Sequence, residues 1–254
     1  MLIWLAGAQW MQVSLRHASV YSGATLLACL LGLVLIGVRK KLVFLPLWSV
    51  STWVQVHLYT GLFACVVFVV HVPAIVASGW FEGPLSLLFI LVSSSGVYGV
   101  YISRTAPKRL TNVSVQPRFD RIGWHRDQVL IAARKTLSDL SDSEDQNVLE
   151  SFYDRALNPY FSSPVTFAYL VVPNSTARRR LLSGLTELSR YFDKEVQAAS
   201  NRLASLVRHR DDLNYQYAIQ LRLRIWLVVH AALSGVLVIW SLVHAYIAIA
   251  MLGA

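Results

Sequence analysis

Cysteine is nearly absent from this sequence. The two present, Cys29 and Cys65, both fall inside apolar runs. No disulfide framework, zinc ribbon or CxxCH motif can be built from them. Phosphate-cradling glycine loops are missing as well: there is neither a GxGxxG nor a Walker A pattern, so no flavin or nicotinamide module is legible. Charge is scarce, at 15% of residues against about 25% in an ordinary soluble domain. Hydrophobic residues make up 55% of the 254 positions, and the mean hydropathy is +0.49. That balance excludes disorder across the chain and argues against a soluble enzyme.

What is present is a set of four uncharged stretches long enough to cross a bilayer, which takes about 20 helical residues. They are 20–38, 52–78, 85–103 and 225–253. The second and fourth, at 27 and 29 residues, exceed the minimum and have room to tilt. Helices are expected for all four, because lipid leaves an open segment no other way to pair its backbone. No run of alternating ten-residue strands suggests a β-barrel. The expected fold is all-α: an integral membrane four-helix bundle with a helical cytoplasmic insert between the third and fourth spans. Three parts follow: 1–103 with the first three spans, 104–224 as the polar insert, and 225–254 as the fourth span.

The first thirteen residues are apolar but have no basic leader, so they do not read as a cleaved signal peptide. Trp4 and Trp10 suit a segment lying in the membrane interface, and the stretch 42–48 is similar. Pro46 argues against a continuous helix through that second stretch. The first connection carries Arg39, Lys40 and Lys41. The third begins with Arg104, Lys108 and Arg109 and ends with Arg208, Arg210, Arg222 and Arg224. The opposite face holds Arg16 alone among Lys and Arg, with Glu82 in the second connection. The positive-inside rule then puts both termini outside and the insert in the cytoplasm, as in a bacterial inner membrane.

The insert holds 19 of the 23 basic and 13 of the 14 acidic residues. Its apolar residues recur at helical spacing: Phe119, Ile122, Val129, Leu130, Ala133, Leu137 and Leu140 form one stripe. Ser141 with Glu144 reads as a capping box for a helix over 145–157, which Asn158-Pro159 would end. A third helix begins after Pro173 or Gly184, with a stripe running from Leu185 to Leu206. With no Pro or Gly between Gly184 and Gly235, it either enters the fourth span unbroken or breaks near Asp211-Asp212. Unbroken and straight, it would reach roughly 60 Å from the membrane. Basic and acidic residues alternate, which argues against a nucleic-acid partner. The Arg178-Arg179-Arg180 run suits solvent or lipid headgroups.

Four of the seven histidines lie inside spans: His57, His71, His230 and His244. Ionisable groups at membrane depth are expensive and point to function. Each span carries its two histidines 14 residues apart, so each pair shares a helix face and is separated by about 21 Å. Spans two and four run in the same direction. His57 and His230 therefore lie toward the inner side, His71 and His244 toward the outer. Two metal centres, each with one axial histidine from either helix, would employ every imidazole. Two haem b groups with bis-histidine ligation suit this arrangement best, because zinc and copper want more ligands at one level. Gly61 and Gly235, near His57 and His230, would make room for a flat macrocycle. Arg222 and Arg224 could pair with haem propionates at the inner side, with Arg16 and His17 the comparable residues at the outer.

The doubled H-x13-H spacing resembles that of di-haem b-type membrane cytochromes, both the quinone-linked cytochrome b subunits and the transmembrane ferric-reductase group. The resemblance covers the spans, about 90 residues, and implies His57, His71, His230 and His244 as axial ligands. The chain departs from both groups in span number and in its large insert.

Three functions are then in view. The leading one is an electron-transfer subunit linking a quinone/quinol pool across the membrane to a partner such as a c-type cytochrome or an iron–sulfur protein. The second is a stand-alone reductase of metal or oxygen, fed by a separate reductase and independent of quinone. The third is a colourless membrane scaffold or sensor. Tyr59, Tyr98 and Tyr101 are the candidate quinone hydrogen-bond partners, and each also suits an interfacial tyrosine.

Overall fold

The computed structural model describes residues 18–39, 49–72, 74, 76–105, 118–141 and 143–252. The expected interfacial segments at 1–13 and 42–48, together with Arg16, His17, Lys108 and Arg109, lie outside these residues. Among the described residues the regular structure is entirely helical, with no strand. Nine α-helices are described: α1 Ala18–Arg39, α2 Val50–His71, α3 Glu82–Thr105, α4 Ile122–Ser138, α5 Glu144–Phe152, α6 Asn158–Ser162, α7 Phe167–Val171, α8 Thr176–Leu188 and α9 Lys194–Leu252. The chain divides into two compact units, one of Met1–Val100 with Trp226–Ala254 and one of Tyr101–Ile225.

Among the described residues three helices are long and apolar enough to cross a membrane: Val50–His71, Glu82–Thr105 and Lys194–Met251, with mean hydropathies of 1.8, 1.8 and 2.1 over their most apolar windows. In α1 the described apolar stretch is the shorter Ser19–Val34. The first unit packs a core of Leu26 and Leu30 from α1, Ala64, Val67 and Phe68 from α2, Phe89 from α3 and Leu237 from α9. Phe68 and Phe89 stack with ring centroids 4.2 Å apart. The outward faces of α2, α3 and α9 are also apolar, with Leu62, Val69, Val97, Val228 and Ile239 all more than 60% exposed. So much apolar surface on one unit is costly in water and natural in lipid.

The ends of α2 follow from local chemistry. Ser49 caps its start by accepting from the Thr52 amide at 3.2 Å. At its end Val72 is extended, as the residue before a proline must be. The uncharged run over 52–78 is therefore not one helix: it stops at His71, and the chain has turned before α3 begins at Glu82. On α3, a Cβ added at Gly99 would run into the Trp226 indole. Trp226 Nε1 donates to the Ser95 carbonyl at 2.8 Å, so this close approach is pinned by a hydrogen bond.

The second unit has its own core, in which Val129, Ala133 and Leu137 of α4 meet Leu149, Tyr153, Leu157, Phe161, Leu181, Leu185, Leu203 and Val207. Several sequence expectations are corrected here. The capping residue of α5 is Ser143, which accepts from the Gln146 amide at 3.2 Å. The S-x-x-Q pair lies two residues past the expected Ser141 and Glu144. Asn158-Pro159 does not end the helical run. A π turn over Tyr153–Leu157 precedes α6, in which Pro159 occupies the first turn. Proline there removes the amide that Arg155 would otherwise receive, and the wider turn absorbs the mismatch.

The stripe from Leu185 to Leu206 is split between two helices. Helix α8 ends at Leu188, and α9 starts at Lys194, with the Asp193 amide donating to Asp145 Oδ2 at 2.8 Å. No break occurs at Asp211-Asp212. Asp211 is buried within α9 and accepts from the Tyr169 hydroxyl at 3.1 Å and from Arg178 at 3.4 Å, so its charge is met without interrupting the helix. Beside it the buried Arg210 donates to the carbonyls of Arg126 and Ser163. Burial, with the neighbouring Arg126 charge, lowers its guanidinium to about 10.

Candidate metal-ligand pairs

All four span histidines belong to the first unit: His57 and His71 on α2, His230 and His244 on α9. The rings of His71 and His244 stand 6.4 Å apart, centroid to centroid, at an interplanar angle of 78°. His230 lies within electrostatic reach of His57. The folded chain thus pairs the four residues across two helices, one pair toward each end. Each ring is half-buried.

The partners of these rings come from α1, α3, the α2–α3 turn and α9 itself. Ser22 Oγ lies 3.0 Å from His71 Nδ1 and donates to the Ser19 carbonyl at 3.1 Å. If that donation holds the Ser22 proton, the hydroxyl accepts from Nδ1–H, and in that tautomer the lone pair of Nε2 is left for a ligand. Ser95 Oγ of α3 stands 3.1 Å from His230 Nδ1. The Trp226 indole stacks on the His230 ring at 5.4 Å while bonded to the Ser95 carbonyl. Phe81 stacks on His244 at 6.2 Å and meets Trp240 edge to face. His57 faces the Leu33 carbonyl of α1, and its Nδ1 is buried without a partner at hydrogen-bond geometry.

The His71–His244 rings are spaced as two imidazole ligands of one metal would be. A metal bound by two opposed imidazoles at about 2.0–2.1 Å per nitrogen sets the ring centroids roughly 6.3 Å apart, which agrees with the His71–His244 separation. Each pair offers two imidazoles, one from α2 and one from α9. Bis-imidazole haem iron takes two. The serine contacts are of the kind that orient a ligating histidine and fix its tautomer.

Glycine placement is only partly what the sequence suggested. Gly61 and Gly235 have open space where a Cβ would stand. The glycines that touch the histidine rings are Gly23 and Gly96, whose added Cβ atoms would lie 3.0 Å from His71 Cε1 and 3.8 Å from His230 Cε1. Arg222 and Arg224 belong to the second unit and are engaged there. Arg222 donates to the Val171 carbonyl at 3.3 Å, and Arg224 sits 4.2 Å over the Phe119 ring. Tyr59, Tyr98 and Tyr101 are exposed on the outer faces of their helices. Sequence reasoning missed Ser22, Ser95, Gly23 and Gly96. The available signal was small polar residues in apolar helices adjacent to the histidine-bearing ones.

No protein family, characterised protein or solved structure matches this chain.

Proposed function

We propose that this protein is a membrane-embedded di-haem b cytochrome that carries electrons across the bilayer. The observation that carries the proposal is the pairing of His71 with His244 at 6.4 Å, with His57 and His230 each 14 residues away on the same two helices and within electrostatic reach of each other. In this reading α1, α2, α3 and the end of α9 form a four-helix membrane bundle. The second unit is its cytoplasmic insert, and the arginine-poor ends face the outside.

Haem bound by two imidazoles has no open position and supplies reversible one-electron chemistry. The chain's own residues supply the rest. His71 and His244 would hold one centre, and His57 and His230 the other. Ser22 and Ser95 keep the rings oriented through Nδ1. Phe81 and Trp226 cover the flat faces of His244 and His230, which limits ring rotation. The two levels are separated by about 21 Å along the helices, so between them they span most of the hydrocarbon. Two imidazoles on each iron would leave no open position, which favours electron relay over small-molecule activation.

The electron partners in this proposal are a quinone/quinol pool at one side and a c-type cytochrome or iron–sulfur protein at the other. Stopped-flow mixing of the haem-loaded protein with a short-chain quinol tests it. Reduction of both centres, abolished in His244→Ala, supports the quinone-linked reading. Reduction by an external reductase with no response to quinol assigns the chain to the stand-alone reductases.

A further inference from the structure

A cavity of about 350 Å³ opens in the second unit between α4 and the α5–π-turn–α6 run. This is the lower end of the size range of small-molecule sites. It is independent of the histidine pairs and of any haem. Three side chains lining it carry a buried polar atom with no hydrogen-bond partner: Gln146 Oε1, Tyr153 Oη and Asn158 Oδ1. Tyr153 is only 4% exposed. Unpartnered buried polar atoms are rare and costly, and three around one cavity point to something that belongs there.

The π turn is what assembles them. Gln146 and Tyr153 are seven residues apart, so an α-helix puts them on one face. Asn158 is five residues past Tyr153, which in an α-helix lies about 140° away around the axis. The i→i+5 turn over Tyr153–Leu157 brings Asn158 back toward the same face. Single π turns recur at functional sites for this reason.

The chemistry of the lining limits the occupant. Two of the three orphaned atoms are amide oxygens, which only accept, so the ligand must donate. Glu150 and Asp154 on the same wall add two carboxylates, and together these groups suit an ammonium. Arg134 comes from α4 on the other side and suits a carboxylate. Burial pushes the Tyr153 hydroxyl pKa upward, so it stays protonated as a neutral donor beside Arg134. We infer that this cavity binds a small zwitterion, with its ammonium on Gln146 and Asn158 and its carboxylate on Tyr153 and Arg134.

The test uses the full chain in detergent, with binding read by isothermal titration. The probes are two zwitterions, L-2-aminobutyrate and 4-aminobutyrate, and their one-group counterparts, n-butylamine and butyrate. Saturable binding is expected for at least one zwitterion with Kd at or below about 1 mM, with both one-group probes at least tenfold weaker. Tyr153→Phe, which removes a cavity-lining hydroxyl with no partner at hydrogen-bond geometry apart from its neighbour Arg134, should keep the thermal midpoint within about 2 °C and weaken zwitterion binding about fivefold or more. Gln146→Met should do the same. No saturable binding by either zwitterion overturns the inference, as does binding of n-butylamine equal to theirs. Affinity unchanged in both folded variants also overturns it, because the zwitterion would then be held elsewhere.

Discussion

Ser22 Oγ stands 3.0 Å from His71 Nδ1 while donating to the Ser19 carbonyl at 3.1 Å. This pair of contacts ties α1 to the last residue of α2. Ser22→Ala removes the contact to Nδ1 and leaves the ring free to rotate and change tautomer. Loss of such a contact typically lowers metal affinity by about 10–100-fold. Haem titration of the apoprotein, followed in the Soret band, should therefore show one of two sites weakened and the other unchanged. Two unchanged sites would remove Ser22 from the account.

Gly61 and Gly235 separate space needed by a ligand from space needed by the fold. A Cβ at either position meets nothing in the folded chain. Alanine is favoured over glycine inside a helix by about 0.5–1 kcal/mol. Gly61→Ala and Gly235→Ala should leave the haem-free protein as stable as before, or slightly more so, while lowering haem content. Melting curves of the apoprotein paired with haem quantitation check both halves. Full haem content in both variants would show that the macrocycle lies elsewhere.

Gly99 makes the opposite case, because its space is already taken by the Trp226 ring. The indole cannot swing aside without giving up its bond to the Ser95 carbonyl. Gly99→Ala should cost about 1–3 kcal/mol of stability, as overpacking does. It should also disturb the stacking of Trp226 on His230. A lower thermal midpoint in detergent, with a changed spectrum at the His57–His230 centre, is the expected outcome.

Tyr160 gives a pH test of the second unit. Its hydroxyl is buried without a partner, and burial raises it well above the usual phenol value of 10.0. Above pH 10 the unfolded chain releases this proton while the folded chain keeps it, so the folded state binds more protons and stability falls as pH rises. Tyr160→Phe should be neutral or mildly stabilising near pH 7 and should remove part of the alkaline loss. Unfolding curves at pH 7 and near pH 11 measure this, and an unchanged alkaline slope would contradict it.

Much of the fold was legible because its signals are periodic and long. The apolar runs located α2, α3 and the end of α9, and the stripe of Ile122, Val129, Ala133 and Leu137 located α4 with its buried face. What was not legible depends on contacts between distant residues. The sequence left open whether the helix breaks at Asp211-Asp212 or runs unbroken into the span; Tyr169 and Arg178 meet Asp211 from other helices, and α9 continues. The real interruption, at Ser189–Asp193, carries no Pro or Gly, and its Asp193 amide is met by Asp145, 48 residues earlier. Within the candidate site, the equal spacing of the histidines identified all four. Ser22 and Ser95 were hidden because a serine in an apolar helix gives no sign of what it faces. Gly23 and Gly96 were hidden for a similar reason: they touch the rings from neighbouring helices, which proximity along one helix does not reveal.

The central claim is tested most directly by a pyridine haemochrome assay on protein purified in mild detergent, with haem supplied during expression. The account predicts two b-type haems per chain, falling to one in His57→Ala and to one in His244→Ala, each with loss of a different redox step. A colourless protein, or a haem content unaffected by either substitution, would contradict it.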